Sequence, residues 1–381
     1  MGNRRYLQFV KMRQIQDTHN AFVALVRLGI GHSSERLSDA IDWNTVRDIA
    51  DEQGLSAIVL DGIEKAKKDN ANLKINQEFL LELIGEVMQN YESRYLQYEK
   101  AIAELAGFYN SHGLKMMVLK GYACSLNWPK PEHRPCGDID IWQFVKQKEA
   151  DAALLKANTN LTNKTNSFTI DTSHHHHTVF NWGGFTVENH YDFVNVHAHR
   201  SSAELEKVFK KLGKDDSHWV EVLGERVYVP SPNLHALFLL RHAASHFAAE
   251  GISIRNVLDW AFFMEKHSKE IDWKWFIAIV DEYHMRDFFN CINAICVEDL
   301  GFNASIFPSV LFFPELKEKV LNDIINPEFQ HEPPKEMFAR LSFKYRRWKA
   351  NDWKRKLCYD ESGLSNLISG VWAHLLKPKT I

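Results

Sequence analysis

Nothing in the sequence approaches eighteen uninterrupted apolar residues, so no membrane-spanning helix is expected. One of the more apolar runs, Ala236 to Leu240, is broken at once by Arg241 and His242. The basic opening stretch MGNRRYLQFVKMRQ is not followed by the apolar segment of a secretory signal, and the small hydroxyl residue of a myristoylation site is missing after Gly2. Cysteine is scarce. Five in 381 residues make no disulfide framework, and reduced thiols in a cytoplasmic protein are expected. Cys291 and Cys296 are too isolated from other ligands to read as a zinc site. Charge of one sign is lacking too: the formal net charge is −3, which gives no global reason to bind nucleic acid or an anionic membrane. Repeats and low-complexity tracts are absent, apart from four consecutive histidines at 174–177.

What is present fits a globular chain with a proper core, 45% hydrophobic and 25% charged, long enough for two or three domains. Residues 1–112 read as an accessory helical domain. Within it the apolar spacing from Gln77 to Tyr109 predicts one helix of about 30 residues, or two broken near Glu92–Ser93. The pattern changes over 113–230. Lys115–Leu119 and Asp138–Trp142 read as strands, Val145–Ala157 as a helix and Asn158–Ser173 as a loop. His176–Trp182 and Phe185–Tyr191 form a hairpin around Gly183–Gly184, and Val220–Val222 with Arg226–Val229 a second around Gly224. Helices return over 231–330, at about 232–249, 254–267, 272–285 and 288–299, and 331–381 is a basic, aromatic-rich helical tail.

The sharpest local feature is Arg134-Pro135-Cys136-Gly137-Asp138-Ile139-Asp140-Ile141-Trp142. In a strand, residues i and i+2 share a face, so Asp138 and Asp140 project side by side while Ile139 and Ile141 face the core. Two neighbouring carboxylates repel each other and raise one pKa unless a cation neutralises them. A hard ion such as Mg²⁺ is the usual remedy, and Mn²⁺ serves similarly. Alone, such a D-x-D also describes an ordinary surface strand. Its context is more specific. Upstream, Met116–Leu119 leads into Lys120-Gly121 and a short helix, whose first N–H groups favour phosphate. Downstream, Val187-Glu188-Asn189-His190 sets Glu188 and His190 on one face of a further strand.

The run LKGYACSLNWPKPEHRPCGDIDIW, with VENH after it, resembles the uncharacterised nucleotidyltransferase family of the DNA polymerase β superfamily. That family's pattern is L-K-G, a short helix, R-x-x-G-D-x-D and an acid-x-His strand. The likeness is closest over roughly 110–200 and extends to about 270. It implies an α+β fold, with a small mixed sheet as catalytic core flanked by N-terminal and C-terminal helical regions. It further implies Asp138, Asp140 and Glu188 as metal-binding and catalytic carboxylates, Glu188 either ligating the ion or acting as base. Asp192 competes for that third place. Lys120, Gly121, Arg134 and Gly137 are expected at the nucleotide, with anchoring of the turn as the alternative for Arg134. Two features depart from the wider superfamily: Lys120-Gly121 replaces its Gly-Ser or Gly-Gly turn, and the stretch from Gly121 to Asp138 is longer.

The implied activity is metal-dependent transfer of a nucleoside monophosphate from a nucleoside triphosphate such as ATP to a hydroxyl. The acceptor is open among a small molecule, a sugar, an RNA end and a protein side chain. Two rivals remain. One is an inactive nucleotide-binding or interaction module. The other is a His/Asp metal phosphohydrolase built on His242, His246 and Asp259, which lacks the adjacent His-Asp pair such sites need. The first of these histidines is followed by Ala243, so the zinc-protease H-E-x-x-H is absent. In the similar family His190, His242, His246, Arg255 and Asp259 match accessory positions, although a buried His pair ordering helix packing is an equal reading. Alternation along His174–His177 sends two rings to each face, so one or two approaching the active site across the hairpin is one reading, and a solvated strand end is the favoured one. The basic, aromatic stretch 335–356 suits single-stranded nucleic acid, but a helix that docks its Trp residues and snorkels its cations is favoured.

Overall fold

The first helices start and stop where the sequence caps them. In the computed structural model, which describes residues 18–34, 37, 41–70, 73–159, 168–196, 201–308, 313–329 and 334–359, helix α1 covers 18–29. Helix α2 (Trp43–Gln53) begins where the Asp42 side chain accepts the N–H groups of Asn44 and Thr45, and it ends on Gly54 in a left-handed conformation. After α3 (Ser56–Asp69), α4 (Gln77–Val87) is capped by Asn76 and passes through a π turn, Met88–Glu92, into α5 (Ser93–Ser111). The chain is therefore helical throughout this stretch, and the point where a break was one reading holds a π turn.

The sheet has six strands: β1 (Met117–Val118), β2 (Ile139–Trp142), β3 (His177–Trp182), β4 (Phe185–His190), β5 (Trp219–Val222) and β6 (Glu225–Tyr228). Their order is β3-β4-β2-β1-β6-β5. Hairpins occupy both edges, and in the centre β2 runs parallel to β4 and antiparallel to β1, which runs parallel to β6. This is a mixed sheet flanked by helices, the expected α+β class. Positive φ at Gly183 and Gly184 permits the two-residue turn between β3 and β4. One face of the sheet is apolar: Ile139, Ile141, Phe180 and Val187 are buried in one cluster with Ile102 and Leu105 of α5 and Leu154 of helix α7 (Gln147–Thr159). Polar residues on the other face are thereby directed toward the remaining helices.

Those helices are α8 (Ser202–Lys214), α9 (Pro232–Ala249), α10 (Ile254–His267), α11 (Trp273–Glu282), α12 (Arg286–Ala294) and α13 (Pro314–Ile325), followed by α14 (Met337–Ala350) and α15 (Asp352–Tyr359). A single apolar cluster joins Phe22, Leu25 and Ile58 from the beginning of the chain to Phe247, Val257 and Phe262 from its later half. Helix α15 buries Leu357, Cys358 and Tyr359 together with Lys354, whose Nζ meets Asp323. Helix α14 buries only Phe343 among its side chains. Among the described residues no helix is long and apolar enough to cross a membrane. Readings made for 1–17, for 160–167 of the loop and for 360–381 fall outside the described residues.

Candidate active site

Parallel pairing of β2 with β4 sets Asp140 beside Glu188 in the ladder, and Ile139 beside Val187. Because side chains alternate, Asp140, Glu188 and His190 share the face turned away from the apolar cluster. Asp138 sits one residue before β2 and accepts a hydrogen bond from the Thr186 side chain. His190 Nε2 lies 3.2 Å from Asp140 Oδ1 and 3.4 Å from Glu188 Oε2. Lys120 Nζ reaches the same Asp140 oxygen at 2.9 Å.

The approach to β2 is held from α5. Tyr98 donates its hydroxyl to the Asp138 carbonyl at 2.8 Å, and Arg94 Nε donates to the Cys136 carbonyl at 3.1 Å. Gly121, with φ +60°, opens the one-turn helix α6 (Tyr122–Ser125), and a Cβ there would stand 2.4 Å from the Tyr98 hydroxyl. Only glycine fits both the conformation and the space.

The electrostatics divide the acids. Burial, reinforced by the charges of Glu188 and Asp140, pushes the Asp138 carboxyl up. Burial also opposes charge on Asp140, yet Lys120 and His190 together hold that carboxyl well below its usual range. For Glu188, burial is outweighed chiefly by the hydrogen bond with His190, and its carboxyl is lowered. The His190 ring, despite complete burial, is raised by Asp140 and Glu188. A crowd of three acids in which one is pushed toward protonation is a site that gains from a cation.

A cleft of about 260 Å³ opens on this face. Lys120, Gly121, Gly137, Asp138 and Asp140 line one side, and His242 of α9 with Arg255, Asn256 and Asp259 of α10 line the other. The helices after Pro232 thus complete the cavity. Arg134 also lines it, but its guanidinium is held by a bidentate pair with Asp259, Nε to Oδ1 at 2.7 Å and Nη2 to Oδ2 at 2.9 Å. Trp128 Nε1 donates to the same Oδ1 at 2.9 Å. Arg255 differs: its Nε is buried with no hydrogen-bond partner among the described residues. Burial and the charge of Arg134 lower its pKa.

His242 and His246 stack with ring centroids 4.4 Å apart, and His242 reaches the cleft. His242 and Asp259 share the cleft, but among the described residues no cluster of ligand atoms joins His242 or His246 to Asp259, both of whose oxygens are engaged by Arg134. Asp192 pairs with Lys210 rather than with the acids of β2. The histidine run departs from a solvated strand end, since His177 is only 6% exposed and lies opposite His190 across the β3–β4 ladder. Asn256 and Thr186 belong to the site's surroundings and were not singled out by sequence, whereas His176 and His177 were noted only as part of the run 174–177. The symmetry of the hairpin about Gly183–Gly184 is the sequence signal that sets His177 across from His190.

Asp140, Glu188 and His190 offer ligand atoms all within 4.8 Å of one another, with Asp138 at the cleft beside them. Carboxylate oxygens converging at a partly buried point suit a divalent ion, so the donor set fits Mg²⁺ or Mn²⁺. Residues 39–301 match the model of a family described as an uncharacterised nucleotidyltransferase. No curated protein and no solved structure matches the chain.

Proposed function

Because the chain belongs to the uncharacterised nucleotidyltransferase family, we propose that it transfers a nucleoside monophosphate from a nucleoside triphosphate to a hydroxyl acceptor, with Asp138, Asp140 and Glu188 holding Mg²⁺ or Mn²⁺. The observation that carries this reading is a cleft lined by Asp138, Asp140, Lys120 and Arg255, with Glu188 paired to Asp140 on the neighbouring parallel strand. When bound, the divalent ion neutralises the triphosphate and stabilises charge on the phosphoryl group being transferred.

The residues themselves supply positioning and proton handling. Lys120 keeps Asp140 ionised, and its side chain, 30% exposed, lines the cleft where the triphosphate would lie. Arg255 has donor capacity to spare for the same anion. Arg134 lines the cleft beside it, so part of its charge remains available to phosphate while Asp259 fixes its plane. Gly121 and Gly137 let backbone approach the donor closely. Glu188, held ionised, takes the acceptor's proton on a carboxylate oxygen. The acceptor oxygen then bonds to the α-phosphorus, the bond from that phosphorus to the β-phosphate's bridging oxygen breaks, and pyrophosphate leaves. Helices α9 and α10 form the wall that selects the acceptor, with His242 facing it.

The test is incubation with each α-labelled nucleoside triphosphate, ATP first, and a cell extract, wild type beside Asp140→Asn. Label transfer with pyrophosphate release in the wild type alone is the expected result. Nucleotide bound in the presence of Mg²⁺ with no pyrophosphate released would favour the binding module. Activity lost in His242→Ala but kept in Asp138→Asn would favour the phosphohydrolase.

A further inference from the structure

His177 is the first residue of β3, and the antiparallel register places it directly across from His190 of β4. The His176 ring stands 4.4 Å from that of His177 and 5.3 Å from that of His190, and the His177 and His190 rings are 5.1 Å apart. One ring nitrogen from each of the three lies within 4.8 Å of the other two. Both ring nitrogens of His177, and Nδ1 of His176, are buried with no hydrogen-bond partner among the described residues. Leaving such groups unsatisfied destabilises a fold, and each neutral ring has one lone-pair nitrogen that a cation can take.

The cluster is built into the backbone. The His176 carbonyl accepts the N–H groups of Tyr191 at 3.0 Å and Asp192 at 3.2 Å, which locks the entry of β3 onto the exit of β4. His177 and His190 are fixed by the ladder itself. The rings can therefore close on an ion by side-chain rotation alone. Imidazole donors select borderline transition metals over Mg²⁺, whereas clustered carboxylates do the reverse.

We propose that His176, His177 and His190 form a binding site for a transition-metal ion of the Zn²⁺ class, adjoining the carboxylate site and sharing His190 with it. Zinc–nitrogen bonds of about 2.0–2.1 Å require the three nitrogens to draw together from their present spacing. Glu188, whose Oε1 lies 3.8 Å from His177 Nε2, stands ready as an additional oxygen donor. The ion sits beside the acids, and its presence does not depend on nucleotidyl transfer taking place.

Full-length protein stripped with EDTA is loaded with Co²⁺ or Zn²⁺, desalted, and analysed for metal per chain and for visible absorption. One ion per chain is expected in the wild type, in Asp138→Asn and in the His174→Ala/His175→Ala double variant. His176→Ala and His177→Gln should lose Co²⁺ affinity by on the order of a hundredfold, at least the loss that follows removal of an outer-shell partner, while keeping wild-type circular dichroism. Retention by His176→Ala and His177→Gln, or loss in the His174/His175 double variant, would mean surface chelation and overturn the proposal. Loss in Asp138→Asn would assign the ion to the carboxylates and overturn it equally. A wild-type Co²⁺ spectrum without the strong visible bands of low-coordinate nitrogen ligation defeats it whether or not the variants fold. None of these readouts measures label transfer, so this site and the transferase reading fail separately.

Discussion

Lys120 Nζ lies 2.9 Å from Oδ1 of Asp140, a carboxylate side chain only 2% exposed. Removing one partner of a buried ion pair strands the other charge. Lys120→Met is therefore expected to cost roughly 1–3 kcal/mol, below the full cost for a buried pair because the Lys120 side chain is partly exposed. The variant's melting temperature should recover more than the wild type's on adding Mg²⁺, since the stranded carboxylate then gains a counter-charge. Thermal melts in EDTA and in Mg²⁺ check this. Equal melting of variant and wild type in EDTA would dismiss the pair as a structural element.

Gly121 meets Tyr98 in a second relationship that fixes the acids. Gly121→Ala combines a left-handed φ with a Cβ 2.4 Å from the Tyr98 hydroxyl, and should destabilise by about 1–3 kcal/mol. The hydroxyl is also what holds the Asp138 carbonyl, so transfer activity is expected to fall with stability. In a Tyr98→Phe background the steric part disappears and only the backbone strain remains. Urea unfolding of both singles and the double variant gives the coupling, and strict additivity would show that the two residues do not press on each other.

The Arg134–Asp259 pair ties the loop before β2 to α10 across 125 positions of sequence. Asp259→Ala leaves a buried guanidinium beside Arg255 and frees the Trp128 indole N–H, for an expected loss of about 3–5 kcal/mol. Arg134→Lys keeps the charge but cannot form the two-pronged contact, so it should fall between wild type and Asp259→Ala. Denaturant midpoints, with near-ultraviolet circular dichroism reporting on Trp128, rank the three proteins. A different order would mean the pair does not anchor the loop.

These contacts mark where sequence reading stops. Ile139 and Ile141 alternate with the acids, which was enough to foresee a strand with one carboxylate-bearing face. Helices α9 and α10 were read to their observed ends because Pro232 and the apolar spacing mark them. A run of four identical histidines carries no phase, however, so nothing within it says which rings turn inward. The answer lay in the hairpin: a two-residue turn at Gly183–Gly184 makes His177 and His190 equidistant from it, and therefore opposite. Helix α8 was missed although Leu205, Val208, Phe209 and Leu212 have helical spacing. The pairing of Arg134 with Asp259 had no local signal at all, being a product of how α10 docks.

Glu206 of α8 accepts the backbone N–H groups of Phe193 and Val194, yet burial pushes its carboxyl up to about 7 from a usual value near 4.5. Between those pH values the folded chain keeps a proton that the unfolded chain has released. The corresponding stability is fully present below the lower value and is lost as pH rises through about 7. Unfolding midpoints should decline across this window in the wild type and decline less in Glu206→Gln. Parallel pH profiles for the two proteins would remove Glu206 as the cause.

Arg255 makes the opposite case, a half-buried cation whose Nε is buried without a hydrogen-bond partner among the described residues. Its pKa is lowered by burial and by Arg134, so it gains from an arriving anion more than from any group already beside it. Arg255→Met should therefore leave the unfolding midpoint near that of the wild type, since no hydrogen bond from Nε is broken. Charge-assisted hydrogen bonds contribute about 1.5–3 kcal/mol, so the KM for the nucleoside triphosphate should rise roughly ten- to a hundredfold. Lys120 and Arg134 already spend charge on Asp140 and Asp259, which leaves Arg255 as the least committed cation lining the cleft among the described residues. An unchanged KM beside a lower stability would reverse the assignment, making Arg255 a packing residue and leaving the triphosphate to Lys120.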